Sequence, residues 1–438
     1  MTDEITLWSW VLALSFIIFA FTFYFIPRKH VFPYLWVLSL SIEYINPVFL
    51  GQLFTVGKLV PMILLFAYMV GKKGHLSVRS YKLFLPLILL SSYFILSLFW
   101  AEQTIGGTQR GFSFVLLFIS FWLVGHSSQD EVGLRHFLGA FVMLSMVVSI
   151  TAIFGFIDNI IPGTLLRFRA LKLNPINMSQ LIILGTIPLL ISILMNRVNN
   201  WKWLDDKWFP LVITINMIGL LISTSKTGVL VFFLCILIFF KLASIKKRVQ
   251  IVIFSLVMAV VIGVFNIWYP VFDNMFLRVG QFTAGDVDIA EQYLPDRIRI
   301  WDEALNLFIE YPMFGSGLTS FDPMTTIAKA PHNDILRTLA EGGIVGGVLW
   351  ISVLVASLTL TIRSVRLAVS YRLDNIEWLA RCMLLFVIVV IAFSQSLDML
   401  FNKSLWVIMG MTSSLWGITV YSVRSVRRKT AVYKSSLQ

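Results

Sequence analysis

The chain has 438 residues, of which 58% are hydrophobic and only 13% charged. Soluble domains hold roughly 45–50% apolar and about 25% charged residues, so an ordinary soluble enzyme, a disordered chain and a nucleic-acid-binding module are excluded. The net charge of +12 has a simpler source in the Lys and Arg that membrane proteins collect in cytoplasmic loops.

The apolar runs are continuous and reach the roughly 20 residues that a spanning helix needs, whereas a β-barrel would show short alternating segments. In chain order they fall at about 7–26, 31–49, 53–70, 83–101, 110–125, 134–157, 178–195, 208–224, 227–243, 249–269, 340–362, 380–398 and 404–421. The expectation is an all-α polytopic membrane protein of 12–13 transmembrane helices, one integral membrane domain over 1–438. The second and third runs are the weakest, because Glu43, Asn46, Pro47 and Lys58 interrupt them. The acidic start, MTDE, lacks the positive region of a cleavable signal. Cys235 and Cys382 lie inside apolar runs and read as packing residues.

Orientation follows from the loops. Arg28-Lys29, Lys72 to Lys82, Arg135, Arg197 to Lys207, Lys241 to Arg248, Arg363 to Arg381 and Arg424 to Lys434 hold most of the 35 basic residues. Thirteen spans put all seven on one side, which the positive-inside bias makes the cytoplasm. The other side receives 101–110, 158–177, the 224–226 corner, 399–403 and one long extracytoplasmic loop, 270–339. Of the five histidines, only His332 then faces outward.

The long loop carries an amphipathic segment, Asp296 to Glu310, with apolar residues at 298, 301, 304, 305 and 308. That spacing predicts a helix along the membrane surface. In the following YPMFGSGLTSF, Pro312, Gly315 and Gly317 predict a turn, with glycines that also permit close backbone approach to a ligand. Pro331 then places His332 near the start of a helix that continues through Asn333 and Asp334.

Cations stand on the same outer side. Arg167, Arg169 and Lys172 precede Asn174-Pro175-Ile176-Asn177; Lys226 sits among hydroxyls in Ser223 to Gly228; Arg297 and Arg299 lie on the amphipathic segment. Lone cations near span ends commonly snorkel. Several clusters against the positive-inside bias, beside the outward histidine, point to an anionic ligand. Arginine's planar fork suits phosphate. The 270–331 stretch is itself acidic overall, so the anion has to be held locally rather than drawn in by the bulk field.

The ordered set resembles the O-antigen polymerase and ligase family (Wzy-like and WaaL-like membrane glycosyltransferases). Its pieces are Arg169 with Asn174 to Asn177, Ser225 to Gly228, Arg297 to Trp301, Gly315 to Phe321, and His332-Asn333 followed by Glu341 to Gly346. Together they cover about residues 150–355. One departure is Lys226, where the family usually has arginine. Lysine keeps the charge and loses the bidentate geometry.

The resemblance implies a bacterial inner-membrane enzyme whose active site faces the periplasm or exterior. Its donor is an undecaprenyl-diphosphate-linked oligosaccharide and its acceptor a glycan or lipid A-core. Membrane lipids and a polysaccharide chain-length regulator are the implied partners; nucleic acid, a metal and a cofactor are not. His332 is then the general base, since an unperturbed imidazole near pKa 6.5 suits proton removal near neutral pH. Arg169, Lys226 and Arg297 hold the diphosphate. Asn333, Asp334, Arg299, Lys172 and Asn177 support the site or contact sugar, and Glu341 and Asp334 are candidates for base, orienting or helix-capping roles. Polymerisation is favoured over ligation. A transporter of a lipid-linked anion is the alternative from another class; the chain shows no evident internal repeat, and its charged residues sit at the rim rather than at mid-membrane. A peptidoglycan glycosyltransferase is also weighed, without an acidic motif to outrank His332.

Overall fold

A computed structural model describes residues 31–40, 82–102, 104–158, 173–195, 201, 203–242, 287–325 and 331–436, with single helical positions between 245 and 264. The expected spans 7–26 and 53–70, most of 249–269, Arg169 and Lys172 lie outside the described residues.

The described residues form helices and no strands. In chain order these are α1 (Val31–Leu38), α2 (Phe84–Leu96), α3 (Thr104–Ser127), α4 (Glu131–Asp158), α5 (Pro175–Met195), α6 (Phe209–Ile222), α7 (Lys226–Leu242), α8 (Val287–Glu310), the short α9 (Phe321–Met324), α10 (Asp334–Ser370), α11 (Asp374–Phe393) and α12 (Lys403–Ser436). Five of them, among the described residues, are long and apolar enough to cross a membrane: α3 and α4 over most of their length, α5, α10 and α11. The chain is a multi-pass helical membrane protein.

Lipid tails are as apolar as leucine, so helices in a membrane associate through close packing of small residues and through hydrogen bonds. Both devices join α4, α5 and α6. A methyl group at Gly185 or Gly219 would run into Ser145 or Ser149. The buried Asn216 amide donates to Ser145 Oγ at 2.9 Å and Thr186 Oγ1 at 3.0 Å, and its carbonyl accepts from Ser149 Oγ at 3.0 Å. Gly125 and Gly410 bring α3 and α12 together in the same manner.

The contacts sort the helix termini to two ends. At one, Trp201 Nε1 donates to the Arg135 carbonyl, Arg135 covers Trp378, and Arg427 donates to Tyr371 Oη. This end carries the basic connections of the described chain. At the other end the starts of α3, α5, α7, α10 and α12 meet the ends of α2, α6 and α11. Ser179 bonds Ser225, Thr227 bonds Ser396, and Asn402 bonds Asn177. The candidate site lies at this second end.

Two elements differ from expectation. The amphipathic helix begins at Val287 rather than near residue 296. Its buried face is Ile300, Ala304 and Leu307, packed on Phe321 and Ala340, while Ile298, Trp301, Leu305 and Ile309 form an exposed apolar stripe at helical spacing. The second is α10, which begins at Asp334, in line with the helix start expected beside His332, but is broken at Gly343, where φ is 61° and ψ is −160°.

Candidate active site

The break in α10 explains the glycine-rich segment. A helix interrupted inside a membrane protein must have its freed backbone groups satisfied by protein. The strap 312–317 does this. Ile344 N–H donates to the Pro312 carbonyl at 2.8 Å, and Ser316 and Gly317 N–H donate to the carbonyls of Ala340 and Glu341 at 3.0 and 2.9 Å. The Gly342 carbonyl accepts from Tyr93 Oη at 2.7 Å. Gly315 and Gly317 have positive φ, and a Cβ on Gly315 would lie 2.3 Å from the Glu341 carbonyl carbon. The backbone these glycines approach is therefore that of α10 rather than a ligand, and the predicted turn is a clamp on the half-helix 334–342.

That half-helix presents the site. Asn333 caps it, its side-chain oxygen accepting from the Ile335 and Leu336 N–H groups. The Asn333 amide also donates to Gln395 Oε1 at 3.2 Å. On the preceding side Trp301 Nε1 donates to the Pro331 carbonyl at 3.2 Å. His332 stands between these fastenings with φ of 48° and its side chain 55% exposed. Asp334 is buried; its N–H donates to the Ser394 carbonyl, and its Oδ1 accepts from Leu400 N–H at 3.2 Å. It pins the turn between α11 and α12 against the half-helix.

This turn contributes Asp398 and Phe401. Asp398 Oδ2 lies 3.9 Å from His332 Nδ1 and 3.1 Å from Arg337 Nη1. The first distance exceeds a hydrogen bond, although catalytic contacts often tighten only when substrate binds. Arg337 also pairs with Glu341 at 3.1 Å, one turn along the half-helix, and both side chains are essentially inaccessible to solvent. The Arg337 guanidinium lies 5.0 Å from the Phe401 ring centroid, and that of Arg110, from the second turn of α3, lies 4.6 Å from it. Glu341, a candidate base from sequence, is committed to Arg337.

The sequence-derived cations divide. Lys226 is exposed and opens α7, whose next residue bonds Ser396 in the turn that carries Asp398. Arg297 is exposed on α8, one turn ahead of Trp301 and so on the same face of the helix. Arg299 is exposed and faces Glu303 at 3.9 Å. Asn177 accepts from Asn402 at the mouth of α5. The serines beside Lys226 are occupied within the protein: Ser223 Oγ donates to the Leu220 carbonyl of its own helix end, and Ser225 accepts from Gly228 N–H and bonds Ser179 across to α5.

Sequence reading missed Arg110, Arg337, Asp398 and Phe401. The i,i+4 spacing of Arg337 and Glu341 within an apolar stretch was the available signal. Charges there are rare and mostly functional or paired.

The fold and this constellation define a multi-pass membrane protein with a polar, histidine-bearing centre at one end of its bundle. The family model for O-antigen ligase matches residues 209–351, from α6 through the first half of α10. The chain is similar to that family over the stretch holding Lys226, Arg297 and His332, which bears out the resemblance read from the motifs. A search of curated proteins gives no match.

Proposed function

We propose that the protein is a glycosyltransferase of the outer face of the bacterial inner membrane. It moves a glycan from an undecaprenyl-diphosphate-linked donor to a sugar hydroxyl and so polymerises O-antigen or exopolysaccharide. The observation that carries this reading is an exposed imidazole, held in strained backbone, beside a buried Arg337 that pairs with Glu341 and Asp398 at the end of the bundle away from the basic connections.

In the reaction His332 removes the proton of the acceptor hydroxyl. The acceptor oxygen bonds to the anomeric carbon as the bond from that carbon to the diphosphate oxygen breaks, and the lipid diphosphate departs with the electron pair. Arg169, Lys226 and Arg297 stabilise the charge that develops on it, an electrostatic contribution of the oxyanion-hole type. Asp398, on the Nδ1 side of His332, stabilises the imidazolium until its proton passes to solvent. Asn333, Asp334, Arg299, Lys172 and Asn177 orient the centre or meet sugar.

A ligase reading is favoured by the description of the matched family. It shares the donor chemistry and changes the acceptor to lipid A-core. One experiment tests both: reconstituted protein is incubated with a purified lipid-linked repeat unit, alone and with lipid A-core. Lengthened lipid-linked glycan indicates polymerisation, and glycan on the core indicates ligation. His332→Ala should abolish either product while leaving the fold intact; a fully active variant removes the base assignment.

A further inference from the structure

Arg110 has no role in the scheme so far, and its surroundings are unusual. It shares the Phe401 ring with Arg337, so two like charges repel each other beside one aromatic side chain. Arg337 is compensated directly by Asp398 and Glu341. No hydrogen bond or ion pair reaches Arg110 among the described residues; Glu341, Asp398 and Asp322 act on it only through space. It is half-buried, and Phe401 itself rests on Phe114, one turn further along α3. A guanidinium stacked on a ring is held in plane while its N–H edges stay available. Those carboxylates offset the two guanidinium charges through space and leave the N–H donors of Arg110 unspent.

We infer that Arg110 is a further binding residue for the phosphate groups of the donor, approaching from the α3 side. The inference rests on the donor class proposed above. It adds to Lys226 and Arg297 a guanidinium that comes from outside the matched stretch 209–351.

The test uses the full chain in detergent, with undecaprenyl diphosphate as the probe and binding followed by thermophoresis. Charge-assisted hydrogen bonds of this kind correspond to about tenfold to a hundredfold in affinity. Arg110→Gln should therefore bind the lipid diphosphate about tenfold to a hundredfold more weakly, with an unchanged melting curve in the absence of lipid. Arg110→Lys, which keeps the charge and the stem, should fall between the two. His332→Ala should bind like the parent, because the base does not hold the donor. If the parent and His332→Ala bind and Arg110→Gln binds equally well, the role of Arg110 is overturned while the donor reading stands. If Arg110→Gln does not fold, Arg110→Lys decides, and parental affinity in that variant overturns the role. A parent with no affinity for the lipid diphosphate overturns the donor reading and this inference with it.

Discussion

Gly343→Ala places a methyl group where the strap 312–317 crosses α10. At φ 61° and ψ −160° the backbone occupies a region essentially reserved for glycine, and a side chain there costs about 1–3 kcal/mol. The new Cβ would stand 2.5 Å from the Met313 carbonyl carbon and 2.6 Å from Gly315 N, both backbone atoms. The strap must withdraw by about 1 Å to restore ordinary contact near 3.5 Å. Withdrawal loosens the hydrogen bonds from Ile344 N–H to Pro312 at 2.8 Å and from Val345 N–H to Met313 at 3.4 Å, each contributing about 0.5–1.5 kcal/mol. The expected loss is about 2–6 kcal/mol. Gly347→Ala is the internal control. Its Cβ would stand 2.7 Å from Leu339 Cδ2, the end of a flexible side chain that can turn aside, and alanine's gain in helix propensity of up to about 1 kcal/mol offsets that shift, so its stability should match the parent. Equilibrium unfolding in detergent micelles measures both, and the transfer assay should show Gly343→Ala inactive even where it remains folded, because the half-helix carrying Arg337 and Glu341 shifts. A Gly343→Ala variant within about 0.5 kcal/mol of the parent, or a Gly347→Ala variant that costs more, would refute the account of the break.

Arg337→Met leaves the inaccessible Glu341 carboxylate without its partner and should destabilise by about 3–5 kcal/mol. Adding Glu341→Met should recover much of that loss without restoring transfer, since Asp398 stays untethered; a single variant as stable as the parent in denaturant would dismiss the pair. Asn333→Ala removes the acceptor for two helix N–H groups and should cost about 1 kcal/mol, with Asn333→Asp restoring the cap. Unfolding midpoints that rank the two variants the other way would count against the capping role. Lys226→Ala should weaken binding of undecaprenyl diphosphate and Lys226→Arg should keep or strengthen it, as titration would show; parental affinity in both would take Lys226 out of the site.

Much of the fold was legible because membrane spans are written in continuous hydropathy, and the described helices α2 to α7 and α10 to α12 follow the predicted runs. From their alternation, with basic loops on one side, comes the expectation that His332, Lys226 and Arg297 share the outer end. Partners supplied by distant spans were not legible. Arg110 and Phe401 meet because α3 and α12 start at the same end, and nothing local to either residue announces it. Asp398 reads as a lone acid between two spans until Arg337 lies beside it. The break at Gly343 was hidden for another reason: Glu341 to Gly347 reads as small residues in a helix, and only the strap reveals which glycine has left helical geometry.

Backbone strain adds what residue types could not. Among the described residues four non-glycine positions have positive φ: Thr224, Thr319, His332 and Arg372. Left-handed backbone costs an L-residue roughly 1–2 kcal/mol, and a β-branched threonine there is a genuine outlier. Three of the four gather at one end of the bundle, in the corner before α7, just after the strap and at the start of α10, while Arg372 lies at the other. The Oγ1 atoms of Thr224 and Thr319 are moreover buried without a hydrogen-bond partner, which is costly in its own right. Proteins break local rules in this way chiefly where function requires it. Strain gathered around an exposed histidine, on segments clamped by Trp301, Gln395 and the strap, supports the catalytic role proposed for His332.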